Sequence, residues 1–249
     1  MIVLTCLLVG CTKKVEKEKS TWRTKALAKM NQIHNQLLPI EKEQGWQLLF
    51  DGTSLDGWHL YNKPDSTDFS AWEVKDGLLY CNALAENRVF GDLVTDAVFE
   101  NYELTFEWQM GVRGNGGVFI NVQESPEFEA TYKTGPEYQL LEPSHMDSQT
   151  PKKQAGSLWG VSPQLNPSMA KPTGQWNSAK IVQKDGKIEF YLNGTMTAKE
   201  DFKSLQWRDK LGNSTFKDNP NFGKAIKGHI ALQNWYFEAW FRNMKIREF

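Results

Sequence analysis

The stretch Tyr102-Glu103-Leu104-Thr105-Phe106-Glu107-Trp108-Gln109-Met110 alternates apolar and polar residues without a break. Side chains two apart share a face of a β-strand. The stretch therefore predicts a strand that turns Leu104, Phe106, Trp108 and Met110 toward a core and Glu103, Thr105, Glu107 and Gln109 outward. Similar short runs recur on either side of it, at 46–50, 72–74, 78–80, 118–122, 180–184, 187–192, 229–233 and 239–246. Asp76-Gly77, Asp185-Gly186 and Asn193-Gly194 separate neighbouring runs and are strong hairpin signals. Gly114-Asn115-Gly116-Gly117 reads as a further turn. Many short strands joined by glycine turns predict an all-β, antiparallel sandwich. Two longer segments, roughly 142–175 and 195–226, interrupt the pattern, and loops of that length are usually functional or carry short helices.

A second stretch, Gly135-Pro136-Glu137-Tyr138-Gln139-Leu140-Leu141-Glu142-Pro143-Ser144-His145-Met146-Asp147, carries the chemistry. Alternation puts Glu137, Gln139 and Leu141 on one face of a strand, and Tyr138 and Leu140 on the other. This predicts a sheet with one packed and one wet face. The strand runs into a loop with carboxylate, imidazole and carboxylate groups. Gathered at a strand end, these suit either a sugar site or a metal site. On parity alone, Glu107, Glu137 and Gln139 are expected to share one pocket, with His145 beside them.

Composition narrows the classes. The chain has 249 residues, 40% hydrophobic and 24% charged, which suffices for a sizeable core. Its net charge of -1 leaves no electrostatic footprint for nucleic acid, and no glycine-rich phosphate-binding motif is present. Ten Trp and fourteen Phe supply aromatic faces for the core and for stacking on sugar rings.

Residues 1–10 read as a lipoprotein signal peptide. Leu8-Val9-Gly10-Cys11 resembles a bacterial lipobox, which makes Cys11 the lipidated first residue of a mature protein. The expectation is a lipid anchor in the bacterial cell envelope, facing the periplasm or the cell surface. Cys81 is then the one remaining thiol, so no internal disulfide forms. Residues 11–44 comprise a charged tether and a helix over 21–44, in which Pro39 interrupts the apolar spacing. Residues 45–249 form the sandwich domain.

The landmarks, taken in order, resemble the bacterial family of 3-keto-disaccharide hydrolase domains. They are Leu49-Phe50-Asp51-Gly52-Thr53-Ser54-Leu55-Asp56-Gly57-Trp58, Asn115-Gly116-Gly117-Val118 and Gly135-Pro136-Glu137-Tyr138-Gln139, then Ala155-Gly156-Ser157-Leu158-Trp159 and Gly174-Gln175-Trp176-Asn177. Leu192-Asn193-Gly194, Gly228-His229-Ile230-Ala231-Leu232-Gln233 and Trp240-Phe241-Arg242-Asn243 complete the series. The resemblance spans about 46–249. It implies a concanavalin-like jelly-roll β-sandwich, a carbohydrate substrate oxidised at C3, and a divalent metal cation as cofactor. A ketone at C3 makes the C2 proton removable by a general base. Elimination of the group at C1, then hydration, would follow.

Within that resemblance Glu137 is the leading base or metal ligand, with Glu107 and His145 as further catalytic candidates. Arg113, Asn115, Gln139, Trp159, Gln233 and Trp235 are candidates for holding substrate, and His229 is a weaker one. His145 and Asp147 follow the family's His-x-Asp pattern, with Met146 where Pro is common. Glu142 stands where Asp is usual. Glu142 and Asp147 are the candidate metal ligands. The main departure is Gln233-Asn234-Trp235-Tyr236, where Gln-Asp-His-Gly is common. The change either impairs catalysis or lets Trp235 stack and alter specificity. Two other classes fit the same residues. One is a non-catalytic carbohydrate-binding protein. The other is an ordinary glycosidase, which needs two carboxyl groups about 5 to 9.5 Å apart, with Glu107 and Glu137 as the pair.

Overall fold

The alternating stretch forms the middle of the larger of two antiparallel sheets. The structure is a computed structural model that describes residues 34–63, 70–86 and 89–249. The expected signal peptide and tether, Cys11 and most of the expected helix over 21–44 lie outside the described residues. In chain order the strands are β1 (Gln47–Leu48), β2 (Trp58–Leu60), β3 (Trp72–Lys75), β4 (Leu78–Cys81), β5 (Leu93–Thr95), β6 (Tyr102–Met110) and β7 (Asn115–Val122). They continue with β8 (Glu137–Leu141), β9 (Asn177–Lys184), β10 (Lys187–Leu192), β11 (Thr195–Asp201), β12 (His229–Leu232) and β13 (Ala239–Glu248). The larger sheet runs β11-β10-β9-β6-β13-β4-β3, with β1 on β13; the smaller runs β2-β5-β12-β7-β8. Together they make the expected all-β jelly-roll sandwich.

Leu104, Phe106, Trp108 and Met110 are buried between the sheets, as the alternation requires. Tyr138, Leu140, Val118 and Ile120 meet them from the smaller sheet. The Phe106 ring lies 5.9 Å from Tyr138 and 6.4 Å from Phe241, so it joins both sheets. At Asn121, with φ +56°, the strand bulges. The bulge turns Asn121 inward, where its Nδ2 donates to Gln183 Oε1 of the larger sheet at 2.6 Å. A buried amide pair of this kind fixes how the two sheets register.

The three hairpins form as read. Asp76-Gly77, Asp185-Gly186 and Asn193-Gly194 all have positive φ at both positions, the turn geometry that matches strand twist. Three expectations are corrected. Gly116 and Gly117 lie inside β7 rather than in a turn; the reversal is made earlier, where Gly114 N donates to Gly111 O. The second long segment begins with a strand, β11, and then carries a helix, α2 (Leu205–Gly212), capped by Ser204. Pro39 does not interrupt a helix but opens one, α1 (Pro39–Glu43). In a first turn its missing N–H costs nothing, and Glu41 Oε2 accepts from Leu38 N at 2.8 Å. Strands β2 and β5, unforeseen from the sequence, form the far edge of the smaller sheet.

Phe106→Ala should lower stability by about 3–5 kcal/mol through the cavity it leaves. Urea unfolding of the variant, with an unchanged denaturant slope, checks this.

Candidate active site

Glu137 opens β8, the edge strand of the smaller sheet, and pairs with Phe119; Gln139 pairs with Gly117. Tyr138 and Leu140 point into the core, so Glu137 and Gln139 face away from the other sheet. That face is not wet as expected. Glu137 is 4% exposed and Gln139 is fully buried, because loops fold over them. The Glu137 side chain leans sideways across Gly117. A Cβ at 117 would stand 2.1 Å from Glu137 Oε1 and 2.6 Å from Cγ. Only glycine leaves the carboxyl that space.

No hydrogen bond or ion pair holds the Glu137 carboxyl among the described residues. Burial pushes its pKa well above the usual carboxylate range, and the nearby charge of Asp92 pushes it the same way. Asp92 just precedes β5 and is tied down by Thr131 Oγ1 and by Asn234 N, the latter at 2.9 Å. Burial also raises Asp92, more than these two hydrogen bonds lower it.

The carboxyl of Glu137 opens onto a cavity of about 540 Å³. Asn115 and Gln233 stand beside it on neighbouring strands. Gln233 is placed by its backbone N–H, which donates to Gly117 O at 2.9 Å. Asn115 is placed by Gln139, whose Nε2 donates to Asn115 Oδ1 at 2.9 Å. That bond leaves the Asn115 Nδ2 free to donate. Gln139 thus sits behind the cavity wall and orients Asn115 instead of touching a ligand.

The segment 156–159 lies along the free edge of β8. Gln139 N donates to Ser157 O, Gly156 N to Gln139 O, and Trp159 N to Glu137 O. This edge carries Trp159 into the cavity wall, with its ring edge-on to Phe216 at 5.8 Å. Lys133, Lys153 and Asp147 also line the cavity, and Lys153 Nζ binds Asp147 Oδ1 at 3.1 Å. Trp235, half-exposed, forms part of the rim.

The expected convergence of four residues does not occur. Glu107 lies on the outward face of the larger sheet, on the opposite side of the sandwich from Glu137. Its Oε2 accepts from Arg242 Nε at 2.6 Å and from Asn243 Nδ2 at 2.9 Å. Parity gave Glu107 the right direction from its own sheet, but the two strands belong to different sheets. The two-carboxylate glycosidase reading loses its pair. His145 does not line the cavity; its Nδ1 accepts from Asp147 N at 3.0 Å and caps a short helical turn over Met146–Gln149. Arg113 is an exposed turn residue with φ +55°. His229 bonds Thr95 O through Nδ1 at 2.6 Å, away from the cavity.

The carboxylates expected to hold a cation are engaged by protein donors. Glu142 Oε2 accepts from Ser144 N and Oγ and from Arg113 N. Burial works to raise Glu142, but these hydrogen bonds outweigh it and hold its pKa below the usual range. Asp147 is engaged by Lys153. No group of three or more His, Cys, Asp or Glu suited to a metal ion occurs among the described residues. Glu142 and Asp147 therefore do not fit a cation site: Glu142 joins its turn to the turn at Arg113, and Asp147 is held by Lys153.

Residues missed from sequence include Asp92, Lys133 and Phe216. Asp92, Val94 and Asp96 alternate with Leu93 and Thr95, so a strand reading of 92–96 would have found the first. Phe216 lies in a loop with no periodic signal.

Residues 45–247 match the family described as a 3-keto-alpha-glucoside-1,2-lyase-like domain. A 3-keto-disaccharide hydrolase from Bacteroides thetaiotaomicron is 30% identical over 236 residues, covering 84% of this chain and 80% of that one. A crystal structure of a candidate glycosyl hydrolase from Parabacteroides distasonis superposes with a TM-score of 0.78 at 28% identity, covering 87% of this chain and all of the other. A second such structure from the same organism, at 22% identity and TM-score 0.64, shares the fold. The order of landmarks, the sandwich and these matches agree, and the chain belongs to the 3-keto-alpha-glucoside-1,2-lyase-like family.

Proposed function

We propose that this protein cleaves glycosides carrying a ketone at C3, with Glu137 as the base that removes the C2 proton. The observation that carries this reading is a buried, unpartnered carboxyl with a raised pKa, opening onto a cavity whose other groups suit a sugar. A base works best with a pKa near the operating pH, and a free Glu is too weak. Burial beside Asp92 supplies the shift. The name of the Bacteroides relative supports the substrate class.

The reaction proceeds in two stages. Glu137 takes the proton from C2, and the electron pair moves onto the C3 oxygen as an enolate. The Asn115 amide and the Lys133 and Lys153 side chains are the available donors for that oxygen. The enolate then re-forms the ketone, a C1–C2 double bond appears, and the C1–O bond breaks. The proton held by Glu137 passes to the leaving oxygen. In the second stage water adds to the double bond, hydroxyl at C1 and hydrogen at C2. The net result is hydrolysis. No step is routed through a metal ion.

We further infer that the chain is held at a membrane through lipid on Cys11; the support is the sequence Leu8-Val9-Gly10-Cys11. Cys11→Ser should move the protein from the membrane to the soluble fraction of cells expressing it, and continued membrane retention would contradict the anchor.

Glu137→Gln should lower kcat on a 3-keto-glycoside by at least about 10²-fold, the usual share of a general base. Its effect on KM should be small. Wild-type kcat/KM should rise with pH through an apparent pKa above the ordinary carboxylate range, because the base acts ionised. Stability gives an independent reading. A carboxyl whose folded pKa is raised keeps its proton in the native state after the unfolded chain has lost it. Wild-type stability therefore falls as pH climbs above the ordinary glutamate value of 4.5 toward the folded pKa. Glu137→Gln should be the more stable protein at neutral pH, with the gap closing below that value. Thermal unfolding across pH checks the sign.

Gly117→Ala should fold yet lose activity by about the same factor, since the new methyl must displace Glu137. Its stability cost should be about 1–3 kcal/mol, as for other overpacked sites. Single-turnover kinetics alongside urea unfolding separates the two effects.

A further inference from the structure

We propose that Phe90, Trp235 and Tyr236 form a shelf that binds an aromatic aglycone, so that the enzyme prefers 3-keto-glycosides of aryl alcohols over those of small alkyl alcohols. The proposal rests on reading the cavity as a 3-keto-glycoside site. It concerns the side of the scissile bond that the reading above leaves unassigned.

The sheet order gives the layout. Beyond β5 come β12, β7 and β8, and then the 156–159 segment on the free edge of β8. Trp235 follows β12 and Trp159 ends the edge segment. Glu137 stands between them, leaning from β8 over Gly117 of β7. Adjacent strands are about 4.8 Å apart, so the two tryptophans arise roughly three spacings, or ~14 Å, apart. That distance accommodates two six-membered rings joined through one oxygen, with the carboxyl at the join.

The two walls differ in chemistry. The Trp159 side carries Lys153, Asp147 and Thr215, which suit the hydroxyls and carbonyl of an oxidised sugar. On the other side Trp235 lines the cavity, and Tyr236 and Phe90 continue from it beyond the lining as a row of rings. Tyr236 lies 5.8 Å from Phe90 and 6.2 Å from Trp235 between centroids. Phe90, Trp235 and Tyr236 are 38%, 49% and 68% exposed. Many other aromatic rings near the surface are covered by a cation. Lys75 covers Tyr80, Lys180 covers Tyr191, Arg242 covers Trp176, and inside the cavity Lys133 covers Tyr132. Among the described residues no Lys or Arg covers the three rings of the shelf. A contiguous exposed apolar patch usually marks a binding surface.

The backbone holds the shelf in place. Tyr236 has φ +62°, which bulky residues adopt only when the surroundings fix them. Its N–H approaches Asn234 Oδ1 at 3.4 Å, while Asn234 N is fixed on Asp92. The shelf is thereby tied to the same buried carboxylate that flanks Glu137.

The test uses the full chain with 3-keto phenyl glucoside and 3-keto methyl glucoside, in both anomers, and with unoxidised phenyl glucoside as a binding probe followed by tryptophan fluorescence. Tyr236→Gly removes the ring at a position whose backbone suits glycine, so misfolding is avoided; Phe90→Ala is the second variant. Wild type should favour the phenyl substrate in kcat/KM. Either variant should reduce the phenyl-to-methyl ratio about tenfold, through KM and not kcat. Wild-type turnover of both substrates without a phenyl preference, or equal losses on both in the variants, overturns the shelf and leaves the catalytic reading standing. Conversely, a wild type inactive on every 3-keto-glycoside that still binds phenyl glucoside, about tenfold more weakly in Tyr236→Gly, upholds the shelf and overturns the catalytic reading.

Discussion

The space above Gly117 is the constraint on which the site depends. A side chain there would occupy the volume that the Glu137 carboxyl takes, at a separation no real Cβ allows. With hydrogen at that position, a carboxyl is folded onto a sheet face, with no ion pair to a cation among the described residues. Burying a charged carboxylate is costly, and burial and Asp92 both push the Glu137 pKa up. Local instability of this sort persists only where the rest of the fold outweighs it. Here the sandwich core, joined by Phe106 and by the Asn121–Gln183 pair, supplies the excess.

Much of the polar chemistry around the cavity holds loops instead of facing a ligand. Glu142 accepts two hydrogen bonds from Ser144 and one from Arg113 N of a neighbouring turn, His145 caps the turn that follows, and Gln139 braces Asn115. Each is a residue type expected in catalysis, and each is engaged within the protein, although the Gln139 Oε1 has no partner among the described residues. Glu137 differs because no hydrogen bond or ion pair holds its carboxyl at all among those residues. In a cluster of candidate groups, the lack of a partner is more telling than the residue type.

The departure at Gln233-Asn234-Trp235-Tyr236 has a physical reading. Gln233 and Asn234 are both fixed through backbone N–H groups, one on Gly117 O and the other on Asp92. Those bonds do not depend on which side chains stand there. The change therefore falls on Trp235, which lines the cavity, and on exposed Tyr236 beside it, and not on the backbone bonds near Glu137.

Alternation from Tyr102 to Met110 and three glycine turns were enough to specify β6, its inward face and the three hairpins, because the two-residue period of a strand is a local property; β2, β5 and β11 carry no such signal. The direction of Glu137 and its place beside Gly117 and Gln139 follow from the same period, once β7 and β8 are paired. The sequence landmarks also carried the family. What parity does not encode is which sheet a strand joins. Glu107 and Glu137 each point outward from their own sheet, yet the sandwich sets those faces back to back. Nor does a local pattern tell a glycine in a turn from one inside a strand; Gly116 and Gly117 were settled by the register with β8. Burial of Glu137, the approach of Asp92 and the arrival of Phe216 all depend on loops far apart in sequence closing over one sheet face, and only the tertiary structure decided them.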